Sequence, residues 1–99
     1  MAKLLSKVEC FNPNTGRRMS IDGETYQLFT KAIKQTLKGG KAISFSEMVE
    51  GVKKYFRVNG IAFKKSVPWY AVTVKNDLQV RNTIEVFTEK GRKLHRLKK

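Results

Sequence analysis

Side chains that can bind phosphate groups are the most abundant chemically active groups in this sequence. Lysine and arginine together number 21, against 8 aspartate and glutamate residues, so the net charge is +13. This excess is larger than solubility requires of a small domain, and it favours a polyanionic partner. The composition therefore predicts nucleic-acid binding, and the alternative is a solvated basic surface without a specific partner.

The densest group of cations follows Glu89 near the end of the chain. Its members are Lys90, Arg92, Lys93, Arg96, Lys98 and Lys99, with no acidic residue among them. Apolar and polar residues alternate on both sides of Gly91, which predicts a β-hairpin that fixes these charges in space. We expect Lys90, Arg92, Lys93 and Arg96 to contact phosphates, and the alternative is a solvated tail.

A second group of candidate ligand-binding residues lies along a predicted helix that begins near Ser66. Asn76 and Gln79 can form paired hydrogen bonds with an adenine edge, and Thr73 can bond a base. Trp69 at the helix start could stack on a base or act as a wedge. These four side chains are the predicted base contacts.

Three further cations near this helix are predicted phosphate contacts. Lys64 and Lys65 directly precede Ser66, which belongs to the same predicted contact region, and Lys75 lies within the helix. Asp77 is expected on the helix flank, where it would repel phosphates. The helix itself is therefore barely basic.

The apolar side of the same helix allows a different interpretation. An exposed patch that contains Trp69 and Val72 would be unusual on a monomer. The N-terminal hairpin or a second subunit would then cover these residues. In that case they would be an anchor for a protein partner instead of contacts to a base.

Residues for catalysis or metal binding are few. His95 and Cys10 are the only residues of their kinds, and they lie in different predicted hairpins. A zinc site needs four ligands, and no glycine-rich phosphate loop has the required spacing. We predict no enzyme activity, no metal and no cofactor; Cys10 should pack as a small apolar group and His95 should be an ordinary strand residue.

Cellular location is predicted from the cysteine count and the hydropathy. A single cysteine excludes an internal disulfide and fits a reducing compartment. No apolar run approaches the ~20 residues of a membrane span, and the first residues do not resemble a signal peptide. We expect a cytoplasmic protein without a membrane partner.

The elements that must position these side chains follow from periodicity and turn residues. Residues 7–11 and 17–21 read as strands around a turn at 12–16. Asp22 is the predicted N-cap of a first helix that ends at Gly39–Gly40. Residues 41–43 could pair as a short strand.

Two more helices and a hairpin complete the predicted order. Ser44 to Glu47 has the pattern of a capping box, and Gly51 within this second helix would be explained by a close helix approach. Ser66 caps the third helix, and Asn82 ends it in the left-handed conformation. The C-terminal hairpin is expected to turn over residues 88–92.

The sequence therefore predicts an α+β fold, with three helices and a C-terminal hairpin preceded by an extra N-terminal hairpin. The predicted division of the chain is a flexible N-terminus at 1–7, one domain at 8–97 and a basic tail at 98–99. A chain of 99 residues is long enough for one core.

This arrangement resembles a winged helix-turn-helix. The resemblance covers residues 22–97 and is carried by the capped helix at Ser44–Glu47, the Val74, Leu78 and Ile84 spacing, and the strands around Gly91. It implies a third helix in the major groove and a hairpin, or wing, on the backbone or in the minor groove. The connection at 57–65 is longer than a tight helix-turn-helix turn.

A narrower resemblance covers almost the whole chain. Asn12-Pro13-Asn14, Glu47-Met48, the run from Trp69 to Val74, and Asp77-Leu78 are similar to a small bacterial family of uncharacterised domains. This resemblance implies a fold but no activity.

The predicted function is nucleic-acid binding, with double-stranded DNA favoured and contacts mainly to phosphates, in a transcriptional or nucleoid role. Two copies acting as a homodimer would extend the short site that one winged helix reads. The alternative function is a protein-interaction module of the same fold without DNA binding.

Overall fold

Three helices lie between two β-hairpins in the computed structural model, which describes residues 7–98. The elements are β1 (Lys7–Phe11), β2 (Arg18–Asp22), α1 (Gly23–Thr36), α2 (Phe45–Val58), α3 (Val67–Val80), β3 (Ile84–Glu89) and β4 (Arg92–Leu97). The predicted α+β order is confirmed. No helix in the described part of the chain has the length and apolar character needed to cross a membrane.

The N-terminal hairpin, β1 with β2, is antiparallel and pairs Val8 with Ile21 and Cys10 with Met19. Its turn closes with a hydrogen bond from the Gly16 N–H to the Asn12 carbonyl at 2.8 Å. Lys7 already belongs to β1, one residue before the predicted start of the domain, and the rest of the predicted flexible N-terminus lies outside the described residues.

Side-chain caps start two of the helices as predicted. The Ser44 hydroxyl accepts from the Glu47 N–H, and the Glu47 carboxylate accepts from the Ser44 N–H at 2.9 Å. Ser66 accepts from the Trp69 N–H at 3.3 Å at the start of α3. Asp22 occupies the N-cap position of α1, but its side chain makes no capping hydrogen bond.

The core lies where the three helices meet. Phe29 is completely buried, and its ring meets those of Phe56, Phe63 and Tyr70 at centroid distances of 5.2, 4.9 and 5.7 Å. A Cβ on Gly51 would clash with the Thr36 side chain, so a larger residue here would require that side chain or the two helices to shift. The predicted close helix approach is confirmed.

The C-terminal hairpin, β3 with β4, packs one face on this core. Ile84 and His95 on that face are 1% exposed. Lys90 and Gly91 form the turn with φ values of 52° and 79°, which is the pattern of a type I′ turn. The turn is therefore shorter than the predicted loop at 88–92, and both strands extend into that range. Ile43 forms a single antiparallel bridge to His95, so the predicted short strand is one residue long.

Candidate nucleic-acid interface

The predicted phosphate contacts on the C-terminal hairpin divide into free and paired cations. Lys90 and Lys93 are exposed and have no ion-pair partner among residues 7–98. Arg92 pairs with Glu47 of α2 at 3.7 Å. Arg96 pairs with Glu85 and lies over the Phe87 ring at 4.6 Å. Half of the four predicted contacts thus already have anionic partners inside the protein.

A buried cation lies beneath the hairpin. Lys75 of α3 is only 5% exposed, and burial, with Lys93 nearby, lowers the pKa of its ammonium to about 8. The adjacent His95 ring bonds the Ile43 carbonyl through Nδ1 at 3.0 Å, while Nε2 is buried without a partner. Burial also lowers the pKa of His95. An anion between Lys75 and Lys93 would relieve the repulsion between them.

The middle of α3 is covered, in contrast to the surface predicted for it. Asn76 is 6% exposed and Asp77 2%, because the N-terminal hairpin packs across α3. Gln79 and Thr73 are half-buried, and the Thr73 hydroxyl donates to the Trp69 carbonyl at 2.9 Å. Asn76 therefore cannot enter a groove of the duplex from this position.

Asp77 was expected on an open helix flank, and this expectation was wrong. Its carboxylate accepts from the Phe11 N–H at 3.0 Å, the Tyr26 hydroxyl at 2.5 Å and the Arg81 Nε at 2.6 Å. Three donors saturate the buried carboxylate and fasten the N-terminal hairpin to α3 and α1. Asp77 is a structural residue that a phosphate cannot approach.

The predicted contacts just before α3 are accessible. Lys64, Lys65 and Ser66 are exposed, and neither lysine has an ion-pair partner in the described part of the chain. The Ser66 hydroxyl is used as the helix cap. The two lysines therefore remain available for phosphates next to Trp69.

A further group of cations, which the sequence did not single out, lies beside α1 and α2; we call it the lysine face. Two adjoining depressions of about 550 and 430 Å³ share Gln35 and Tyr55 in their linings. The lysine face consists of the lysines that line them: Lys31, Lys34, Lys38, Lys41 and Lys54. No acidic residue lines either depression. The i, i+3, i+7 spacing of the first three was the available signal, because helical spacing places Lys31 and Lys34 on one side of α1 and carries Lys38, in the turn after the helix, towards the same side.

Ion pairing inside the protein uses mostly arginines. Among residues 7–98 the five ion pairs involve four arginines and one lysine, Lys53. Arginine is the side chain that reads guanine edges in pairs, whereas lysine is a point charge that suits phosphates. The cations without an ion-pair partner in the described part of the chain are therefore mainly lysines.

A cleft separates the N-terminal hairpin from α3, with a volume of about 390 Å³. Phe11 and Met19 line it from the hairpin, and Trp69 and Val72 line it from α3. Trp69 is 42% exposed and Met19 47%. The N-terminal hairpin therefore forms a wall opposite Trp69 without covering it. This geometry is intermediate between the exposed Trp69 and the covered Trp69 that the sequence allowed. Asn76 also lines this cleft.

The residues considered for catalysis do not assemble into a site. Cys10 is 3% exposed, and burial together with Asp77 raises the pKa of its thiol to about 11. It is therefore protonated at neutral pH, and it packs in the core as predicted. No group of three potential metal ligands occurs within residues 7–98.

Comparison with known proteins gives one match. The model of a family of unknown function (DUF6958) matches residues 7–94. No curated protein and no solved structure matches the chain.

Proposed function

The chain belongs to the family of unknown function DUF6958, and we propose that it is a winged-helix domain that binds double-stranded DNA through phosphates without reading the sequence. The order of elements supports the winged-helix assignment. The bridge between Ile43 and His95 occupies the place of a short first strand beside the wing, and β3 and β4 correspond to the wing itself.

The lysine face is the observation that carries this proposal. From Lys31 to the end of α1 at Thr36 the helix axis advances about 7.5 Å, which matches about two phosphates of one strand at ~3.4 Å each, and Lys38 follows in the turn beyond the helix. Lys41 and Lys54 widen the surface towards α2. A cationic surface of this size with no acidic lining suits the regular phosphate array of a duplex.

The proposed lack of DNA sequence recognition follows from the covered middle of α3 and from arginines that are already in ion pairs. Asn76 lies under the N-terminal hairpin, and Arg92 and Arg96 pair with carboxylates. These are the groups that would hydrogen-bond base edges. Binding should therefore depend on salt much more than on sequence.

The test is fluorescence anisotropy of a labelled duplex across a series of salt concentrations. Lys34→Glu/Lys38→Glu should lower affinity roughly 50-fold at ~100 mM salt and reduce the slope of log K against log salt by about 2. The matched control is Lys7→Glu/Lys53→Glu, which changes the net charge equally but leaves the lysine face intact. Equal losses in the two variants would reduce the effect to net charge and refute the proposed site.

A protein-docking function is the second candidate, favoured by exposed apolar residues on α3. Trp69 and Val80 are 42% and 40% exposed. Docking driven by apolar burial would respond little to salt, whereas duplex binding should weaken steeply. The same salt series therefore separates the two functions. Sedimentation with and without duplex tests the proposal that two copies act together.

A further inference from the structure

Asn76 is a buried amide whose side-chain oxygen is unpaired among residues 7–98. It is 6% exposed, and its Oδ1 has no partner, although it lines the cleft between the N-terminal hairpin and α3. Its neighbour Asp77, equally buried, is saturated by three donors. Leaving a buried amide unpaired costs folding free energy, which a partner at the cleft would restore.

The walls of the cleft suit a flat ring. Phe11 is 37% exposed and Trp69 is 42% exposed, and the Met19 side chain adds a polarisable thioether. Aromatic side chains that remain open to solvent are typical stacking surfaces for nucleobases. The cleft volume of about 390 Å³ falls within the range of small-ligand sites.

The charge at the cleft is positive. Arg17 and Arg18 line it, and no acidic residue does. Arg18 pairs with Glu9 at 3.4 Å, whereas Arg17 has no ion-pair partner in the described part of the chain. A ligand with an aromatic ring, a hydrogen-bonding edge and an anionic group would satisfy all three features together.

We propose that this cleft binds one unpaired nucleobase. The base stacks on Trp69, its hydrogen-bonding edge meets the Asn76 amide, and its phosphate lies at Arg17. This inference rests on the proposed function, because the nucleic-acid partner is what favours a nucleotide over a peptide segment. It extends that function from perfect duplexes to ends, gaps and bulges, where a base is already out of the stack.

Duplex and single strand then use different parts of the molecule. The lysine face binds the phosphates of the paired region. Lys64 and Lys65 precede α3 and are therefore close in sequence to Trp69 of the cleft. A duplex with one unpaired adenine should bind on the order of ten-fold more tightly than the same duplex fully paired.

Trp69 provides a direct probe, because it is the only tryptophan in the chain. A single-stranded adenine oligonucleotide should quench its fluorescence, and a fully paired duplex with closed ends should not. Phe11→Ala and Met19→Ala should reduce the quenching by removing the opposite wall. Equal quenching by single strand and duplex, or quenching unaffected by both substitutions, would overturn the inference.

Asn76→Leu distinguishes a ligand-binding amide from a structural one. Because the buried Oδ1 has no hydrogen-bond partner in the described part of the chain, this apolar replacement of similar size should leave the Tm unchanged or raise it. The ten-fold preference for the unpaired base should disappear, while affinity for the full duplex stays unchanged. A clear fall in Tm, or an intact preference, would overturn the assignment; the Phe11 and Met19 variants still decide the question if Asn76→Leu does not fold.

The two proposals can fail separately. Lys34→Glu/Lys38→Glu should lower affinity for both duplexes but preserve their ratio. Quenching by the adenine strand without any duplex binding would refute the duplex function and leave the cleft as a base-binding site. Duplex binding without quenching would refute the base-binding site and leave the duplex function.

Discussion

The C-terminal hairpin together with Lys98, which follows β4, carries five cations within residues 7–98, and so does the lysine face, but the two groups differ in pairing. On the hairpin, Arg92 and Arg96 pair with Glu47 and Glu85. Among the described residues, no member of the lysine face has an ion-pair partner and no acid lines its depressions. The two surfaces therefore carry equal numbers of positive charges, but they differ in how many of these charges are unpaired and could bind phosphate.

This difference shows how a basic sequence distributes its charge between fold and ligand. Exposed ion pairs add little stability, but they orient a strand or a turn and satisfy the charges that form them. The hairpin uses Arg92 to attach its tip to the start of α2, where a bond from the Ser44 N–H lowers the pKa of Glu47. Among residues 7–98 no member of the lysine face forms an ion pair, so its charges are available to the partner that we propose.

The largest expected effect on duplex affinity comes from replacing all five cations of each surface with neutral residues. Glutamine at all five positions of the lysine face should lower duplex affinity roughly 1000-fold and reduce the salt slope by about 4.5. The matched variant, with Lys90, Arg92, Lys93, Arg96 and Lys98 changed to glutamine, should lose only about 30-fold, because two of these five cations are already paired. Anisotropy titrations measure both, and the comparison breaks if the hairpin variant loses as much as the lysine face variant.

The buried cation under the hairpin gives a second prediction. Lys75→Met removes a charge that burial and Lys93 disfavour, so it should raise the unfolding free energy at pH 7 by ~2 kcal/mol. In the wild type, the unfolded chain holds this proton up to about pH 10.4 while the folded protein releases it near pH 8. Stability from this group should therefore rise between these values and be absent below them.

Denaturant melts of wild type and Lys75→Met across this pH range test the prediction. The difference between the two proteins isolates Lys75, because Cys10, whose raised pKa acts in the opposite direction, is present in both. A constant difference from pH 7 to pH 10 would mean that Lys75 titrates normally in the folded state.

Two neighbouring residues of β4 sharpen the comparison within the hairpin. Lys93→Glu removes a free cation and should lower duplex affinity about ten-fold, while the new carboxylate near Lys75 raises the Tm. Arg92→Glu changes the net charge equally but removes a cation already paired with Glu47, so affinity should fall only about three-fold and the Tm should fall. Equal affinity losses would show that pairing does not matter.

The smallest expected effect is on folding at the cleft. Trp69→Ala should destabilise the protein by only ~1 kcal/mol, because the side chain is 42% exposed and its ring packs edge-on against the Tyr70 ring at the surface. A thermal melt measures this change. A loss of ~3–5 kcal/mol, as for a core aromatic, would mean that Trp69 belongs to the fold and not to a ligand site.

The local structure was largely predictable from the sequence, because caps and turns depend on neighbouring residues. Ser44 and Ser66 cap their helices, Asn82 has a φ of 64°, and Gly51 lies at the close contact of α1 and α2. Cys10 was correctly expected to pack as a small apolar residue.

The site was less predictable, because tertiary contacts decide which charges are free. Arg92 and Glu47 are far apart in the chain, so no local pattern indicates their ion pair. The N-terminal hairpin buries Asn76 and Asp77 by packing across α3, which reverses the exposure that helical spacing predicted for Asp77. The lysine face combines α1 and α2 and exists only once these helices have packed.

An NMR titration with a short duplex tests the central claim most directly, because it locates the contacts on the molecule. Backbone amide shifts should change first around Lys31 to Lys41 and near Lys54, with smaller changes at the tip of the C-terminal hairpin. Changes confined to α3 and the hairpin, with the lysine face unaffected, would contradict the account.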